Sequence, residues 1–133
     1  MPVRADAADL RYLHTILHGR ITDDELVGYY HPTPARAFGP PWREVVDGRE
    51  VTDMAVTPEG QARLAAFVAS HADEMRGGRV AMVATSPVTY GMFRMWEMSR
   101  ASLPYDVRVF REIGPAVDWV CAGDPPAGPG PAA

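Results

Sequence analysis

Three hydroxyl side chains stand where the chain opens a helix: Thr22, Thr57 and Ser86. Thr22 heads Thr22-Asp-Asp-Glu25, a capping box in which Thr22 accepts from the amide of Glu25 while Glu25 reaches back. Thr57-Pro58 and Ser86-Pro87 each join a cap to a proline at the first helical position. A helix start exposes backbone N–H groups and the positive end of the helix dipole, so these positions suit an anion. If the strands before Thr57 and Ser86 are neighbours, the two starts share one rim, and a small anionic ligand or phosphoryl group is the expected occupant. Each residue is also an ordinary cap, worth about 1 kcal/mol to the fold.

The remaining reactive side chains point to little chemistry. Asp47, Asp53 and Glu59 are expected around the end of one strand, where acids usually serve as solvated caps. His14 and His18 lie on one strand face about 13 Å apart, too far for one metal ion with bonds of about 2 Å. His31 and His71 have no neighbour at ligand spacing. The chain has one cysteine, Cys121, so it makes no internal disulfide, and the last turn of a helix does not favour its thiolate. All 13 basic residues are arginine. Without lysine there is no Schiff base and no phosphate-loop lysine. Gly-x-Ser-x-Gly is absent. These residues imply no catalytic constellation, no metal and no cofactor.

The elements that must position these residues alternate. Leu10 to His18 reads as a strand, followed by a helix from Thr22 to about Tyr30. Pro32 to Trp42 holds four prolines and a glycine and forms a loop. Arg43 to Val51 contains a second strand, and a helix from Thr57 ends at Gly77-Gly78. Val80 to Thr85 is a continuous apolar run, as in a central strand covered on both faces. A third helix runs from Ser86 to about Arg100, Val107 to Phe110 is the last strand, and Ile113 to Cys121 closes the domain. Four strand–helix repeats predict an α/β fold, a mostly parallel (mixed) sheet of four to five strands with four helices. The first strand is expected at an edge, running antiparallel. Residues 1–9 are an arm, 10–122 one domain, and 123–133 a disordered Pro/Gly/Ala tail. At 133 residues, with a net charge of −4, the chain suits neither a second domain nor a broad grip on nucleic acid. No apolar run is long enough to span a membrane, and the expected compartment is the cytoplasm.

From residue 10 to 122, excluding the proline loop, the chain resembles the STAS-like domains related to anti-sigma-factor antagonists (the stage II sporulation AA-like branch, also compared with CRAL-TRIO lipid-binding domains). Tyr90-Gly-Met-Phe-Arg-Met-Trp-Glu97 followed by Val107-Arg-Val-Phe-Arg111 carries most of the likeness. Glu44-Val-Val-Asp47, Thr57-Pro-Glu-Gly60, Arg79 to Ala84 and Ala116-Val-Asp-Trp119 add to it. The resemblance implies a mixed sheet with helices and no established activity. It also implies a phosphorylation site near Thr57, although Val56-Thr57-Pro58 replaces the family's Asp-Ser-x-Gly. A phosphate there would add roughly −2 charge where the helix dipole favours it.

The helix from Val88 carries the clearest pattern. At 100° per residue Val88, Gly91, Met92, Met95, Trp96, Met98 and Ser99 share an arc expected to be buried. Tyr90 and Phe93 then fall among Arg94, Glu97 and Arg100, where they are expected either to form a partner or homodimer surface or to be covered by the loop before Trp42 or by the last helix. Met82, Met92, Met95 and Met98 suit an apolar ligand wall, or more simply a core. The expected function is a non-enzymatic regulatory domain acting through protein contact and tuned by a ligand or phosphorylation. The alternative is a carrier or sensor for a small apolar, lipid-like or anionic molecule.

Overall fold

The computed structural model describes residues 3–6, 12–30 and 42–122. The proline loop, apart from Trp42, and the Pro/Gly/Ala tail lie outside them. Five strands form one sheet in the order β1 (Val3–Asp6), β2 (Leu13–Ile21), β3 (Arg43–Met54), β4 (Arg79–Val83), β5 (Asp106–Phe110). Strands β2 to β5 are parallel, and β1 pairs antiparallel with β2. The antiparallel edge therefore belongs to a strand inside the expected N-terminal arm, and the first strand of the sequence reading lies inside the sheet.

The helices are α1 (Asp23–Tyr30), α2 (Pro58–Ser70), the single turn α3 (Ala72–Met75), α4 (Pro87–Met98) and α5 (Ile113–Val120). The sheet grows in one direction from β2 to β5. Crossovers of one hand then put their helices on one face, and α1, α2 and α4 do share a face of the core with β2, β3 and β4. After β5 the described chain adds no further strand, and α5 folds back over the other face, against Val45, Ala81 and Val83. The helix expected to run from Thr57 to Met75 breaks at His71 before α3. Gly77, at φ +78°, ends the segment in the left-handed conformation that glycine adopts without strain.

The register sets which side chains meet. Leu13, Glu44, Val80 and Val107 form one row across the sheet on the α2/α4 face. Ile16, Asp47, Val83 and Phe110 form a row on the α5 face. Each row places a carboxylate among apolar neighbours: Glu44 and Asp47 are 3% and 2% exposed. No described helix is long and apolar enough to cross a membrane.

Candidate functional site

Thr57 caps α2 as its sequence requires, accepting from the Gly60 N–H at 3.1 Å. The positive end of α2 already holds an anion. The Asp23 carboxylate accepts from the Thr57 N–H at 2.8 Å and from the Thr57 hydroxyl at 2.6 Å. These two bonds hold the Asp23 carboxyl below its usual range. Gly60 leaves the space: a Cβ there would lie 1.9 Å from the Asp23 carboxylate oxygen. Thr22 makes the expected capping box, its N–H donating to Glu25 at 3.1 Å. Ser86 accepts from the Thr89 N–H at 3.2 Å. The three caps form as read, but none of them lines either concavity described below. A phosphoryl group on Thr57 would set about two negative charges against Asp23.

The buried face of α4 is rotated from the sequence reading: Trp96 and Met92 turn inward and Arg94 and Arg100 outward as expected, but other positions exchange. Phe93 is 4% exposed and belongs to the core beside Trp96. Val88, Met95 and Met98, expected inside, are 67%, 52% and 74% exposed. Tyr90 is half-buried, with the Arg111 guanidinium 4.0 Å from its ring centre. Glu97 pairs with Arg94 at 2.9 Å and accepts from the Val109 N–H at 3.2 Å. Of the four residues expected at a partner surface, only Arg94 is exposed. The hydrophobic arc of α4 is wider than one face, because apolar residues occur on both sides of it. Gly48 decides the orientation: a Cβ there would meet the Phe93 ring and the Val83 carbonyl at 3.0 Å, so β3 has room for this aromatic where α4 crosses it.

Asp47, Asp53 and Glu59 do not cluster. Asp53 forms an exposed pair with Arg20 at 3.3 Å, and Glu59 is exposed in the first turn of α2. Asp47 is buried on the opposite sheet face. It accepts from His14 Nε2 at 2.9 Å and, in a two-pronged bond, from Arg49 Nε and Nη2 at 2.9 and 2.8 Å. Burial pushes its carboxyl up, but the bonds from Arg49 and His14 outweigh it and hold the group below its usual range. No group of three metal-ligating side chains exists among the described residues. Cys121 is half-buried against the α5 core.

The concavity that combines shelter with polar groups lies between the sheet and α1, α2 and α4. It measures about 60 Å³. Leu17, Val46, Leu64, Val68, Met82 and Met92 supply most of its apolar wall. Glu44, Gln61, Trp42, Trp96 and Tyr105 supply its polar atoms, the Gln61 amide donating to the Met92 sulfur. Glu44 accepts from the Thr15 hydroxyl at 2.6 Å and from the Trp42 indole N–H at 3.3 Å. The Tyr105 hydroxyl accepts from the Trp96 indole N–H at 3.2 Å. Burial pushes the Tyr105 hydroxyl up; the Trp96 bond opposes this and Glu44 adds to it. The phenol therefore stays neutral and keeps a proton to donate. Sequence reasoning did not single out Glu44 as a site residue. The signal was available: Trp42, Glu44 and Val46 alternate in phase, so Glu44 occupies an inward position of a strand.

No protein-family model and no curated protein matches the chain. Among solved structures it is similar to an uncharacterized protein of the DUF3478 family with a SpoIIAA-like fold, from Shewanella loihica PV-4. The TM-score is 0.60 and the identity 17%, over 90% of this chain and 92% of that one. The likeness establishes the fold: the chain has the SpoIIAA-like, STAS-like α/β architecture.

Proposed function

We propose that this chain is a non-enzymatic regulatory domain that senses a small, mainly apolar molecule held between the sheet and α2/α4. The supporting observation is the pair of buried polar residues in the cavity wall. Glu44 presents a carboxylate and Tyr105 a neutral hydroxyl in a wall that is otherwise apolar except for two bonded indoles and the Gln61 amide, which donates to the Met92 sulfur. Apolar walls with a few placed polar groups are the usual form of a small-molecule site. A cavity of 60 Å³ holds a group of about four to six heavy atoms. A lipid-sized ligand needs several hundred Å³, so the long-chain carrier suggested by the CRAL-TRIO resemblance is not the reading favoured here.

Native mass spectrometry of the full chain as purified tests this. A small non-covalent adduct on the wild type, absent from Leu64→Trp, supports the proposal. An adduct equally retained by Leu64→Trp contradicts it.

A second reading, contact with another protein, is favoured by the outer side of α4. Val88, Met95 and Met98 form an exposed apolar strip on the helix whose inner side lines the cavity. Met95→Lys with Met98→Glu should change the sedimenting mass if this strip is a contact; unchanged mass and unchanged stability would remove it.

A further inference from the structure

On the far side of α4 from the apolar cavity, a groove of about 560 Å³ runs over the β5 edge, from α4 on one sheet face to Trp119 of α5 on the other. Three guanidinium groups line it: Arg94, Arg100 and Arg108. Two carboxylates, Glu97 and Asp106, also reach it. Glu97 is already committed to Arg94 and to the Val109 N–H. Arg100 and Arg108 have no carboxylate within ion-pair distance among the described residues. The groove is therefore net positive on a chain whose overall charge is −4. Arg108 is also held in place. Its guanidinium lies 5.3 Å from the centre of the Phe110 ring and 5.7 Å from that of Trp119. A cation over an aromatic face loses less freedom when it binds a further group.

A simple edge-strand interface fits this place poorly. Even-numbered residues of β5 bond to the β4 side, as Asp106 N–H to Gly78 and Phe110 carbonyl to Ala84 show. The outward N–H of Val109 is taken by Glu97, and Val107 is 3% exposed. The edge is blocked, and what remains is the two forks of Arg100 and Arg108 beside the single carboxylate of Asp106. Arginine forks match tetrahedral and planar oxyanions with paired N–H bonds.

We propose that the groove over the β5 edge binds a phosphate-class oxyanion between Arg100 and Arg108, with Arg94 at its rim. The site is separate from the apolar cavity and stands or falls independently of it. The phosphoryl group is the recognised chemistry, whether it is carried by a soluble molecule or by a lipid headgroup.

The test is a titration of the full chain with inorganic phosphate at constant ionic strength, chloride making up the balance. The Trp119 indole N–H and the Val107 amide resonances are followed. Wild type should give saturable shifts, and Arg100→Gln/Arg108→Gln at least tenfold weaker binding. Arg63→Gln, which alters a distant exposed pair, should bind as wild type does. Arg100 and Arg108 are both exposed, so the variants should keep the wild-type melting temperature, and single Arg100→Gln provides a milder form. A second arm measures flotation with phosphatidic acid vesicles. Response to phosphate alone assigns a soluble ligand. Flotation that the double variant loses assigns a headgroup. Shifts that stay linear, or equal shifts in the double variant, together with no variant-sensitive flotation, overturn the proposal.

Discussion

Asp23 in the first turn of α1 closes the amino end of α2 by accepting from both the N–H and the hydroxyl of Thr57, at 2.8 and 2.6 Å. Two helix starts far apart in sequence thereby become one joint. The contact takes up the anion-attracting end of α2 with a side chain of the same molecule, and so leaves little for an external anion to gain there. It also explains why a glycine stands at position 60 in the first turn of a helix.

Gly60→Ala follows directly. In an exposed helix interior this change usually stabilises by about 1 kcal/mol. Here the new methyl would meet the Asp23 carboxylate, so the variant should be destabilised, with a lower urea midpoint. In an Asp23→Ala background the same substitution should return to neutral or stabilising. Equal effects in both backgrounds would mean that the joint does not constrain position 60.

The rotated face of α4 gives a second pair of substitutions. Phe93→Ala removes a core ring and should cost about 3–4 kcal/mol in denaturant unfolding. Met98→Ala changes an exposed side chain and should stay within about 0.5 kcal/mol. The orientation read from the sequence requires the opposite order.

Much of the architecture was legible in the sequence, and the reasons are local. Thr22-Asp-Asp-Glu25, Thr57-Pro58 and Ser86-Pro87 mark helix starts by chemistry that acts within one turn, and all three operate as read; Gly77 adopts the left-handed turn but follows α3, since α2 already ends at His71. The apolar run at Val80 marks an interior strand because both of its faces are covered. What failed depended on distant partners. The face of α4 is set by the space over Gly48, which no periodicity within α4 reveals. Asp23 looks like a first-turn acid until α2 is placed beside it. Asp47 looks like a strand-end acid until His14 and Arg49 surround it. Glu44 was readable from alternation, but only the four-strand row shows how apolar its surroundings are.

The pH dependence should carry the signature of Asp47. Its carboxyl titrates below the usual range in the folded chain. The stability it contributes is therefore fully present above the unfolded value, about 3.9. It is lost as the pH falls below that value and through the folded one. Asp47→Asn leaves His14 and Arg49 without their shared carboxylate and should cost about 3 kcal/mol at pH 7. The difference between variant and wild type should shrink steadily below about pH 4. A difference that stays constant down to pH 2.5 would show that the carboxylate is not held in its charged form by these partners.

Glu44 separates stability from function. Burying a carboxylate beside apolar groups is costly even when it is bonded, and apolar replacements at such positions are often neutral or stabilising. Glu44→Leu should therefore unfold at a urea concentration no more than slightly below that of wild type, and it should lose ligand affinity. A fold that collapses on this substitution would assign Glu44 a structural role instead.

The central claim is that the cavity walled by Leu64, Met82, Met92 and Val46 takes a small molecule with an apolar body and a polar end. Its most direct test is the urea midpoint of the full chain measured against a series of straight-chain alcohols of two to ten carbons. A ligand that binds only the folded chain raises that midpoint in a saturable way. The account predicts the largest rise near four to five carbons, about what 60 Å³ admits, and none in Leu64→Trp, whose indole fills the space. Midpoints that never rise, or that rise alike in wild type and Leu64→Trp, would contradict it.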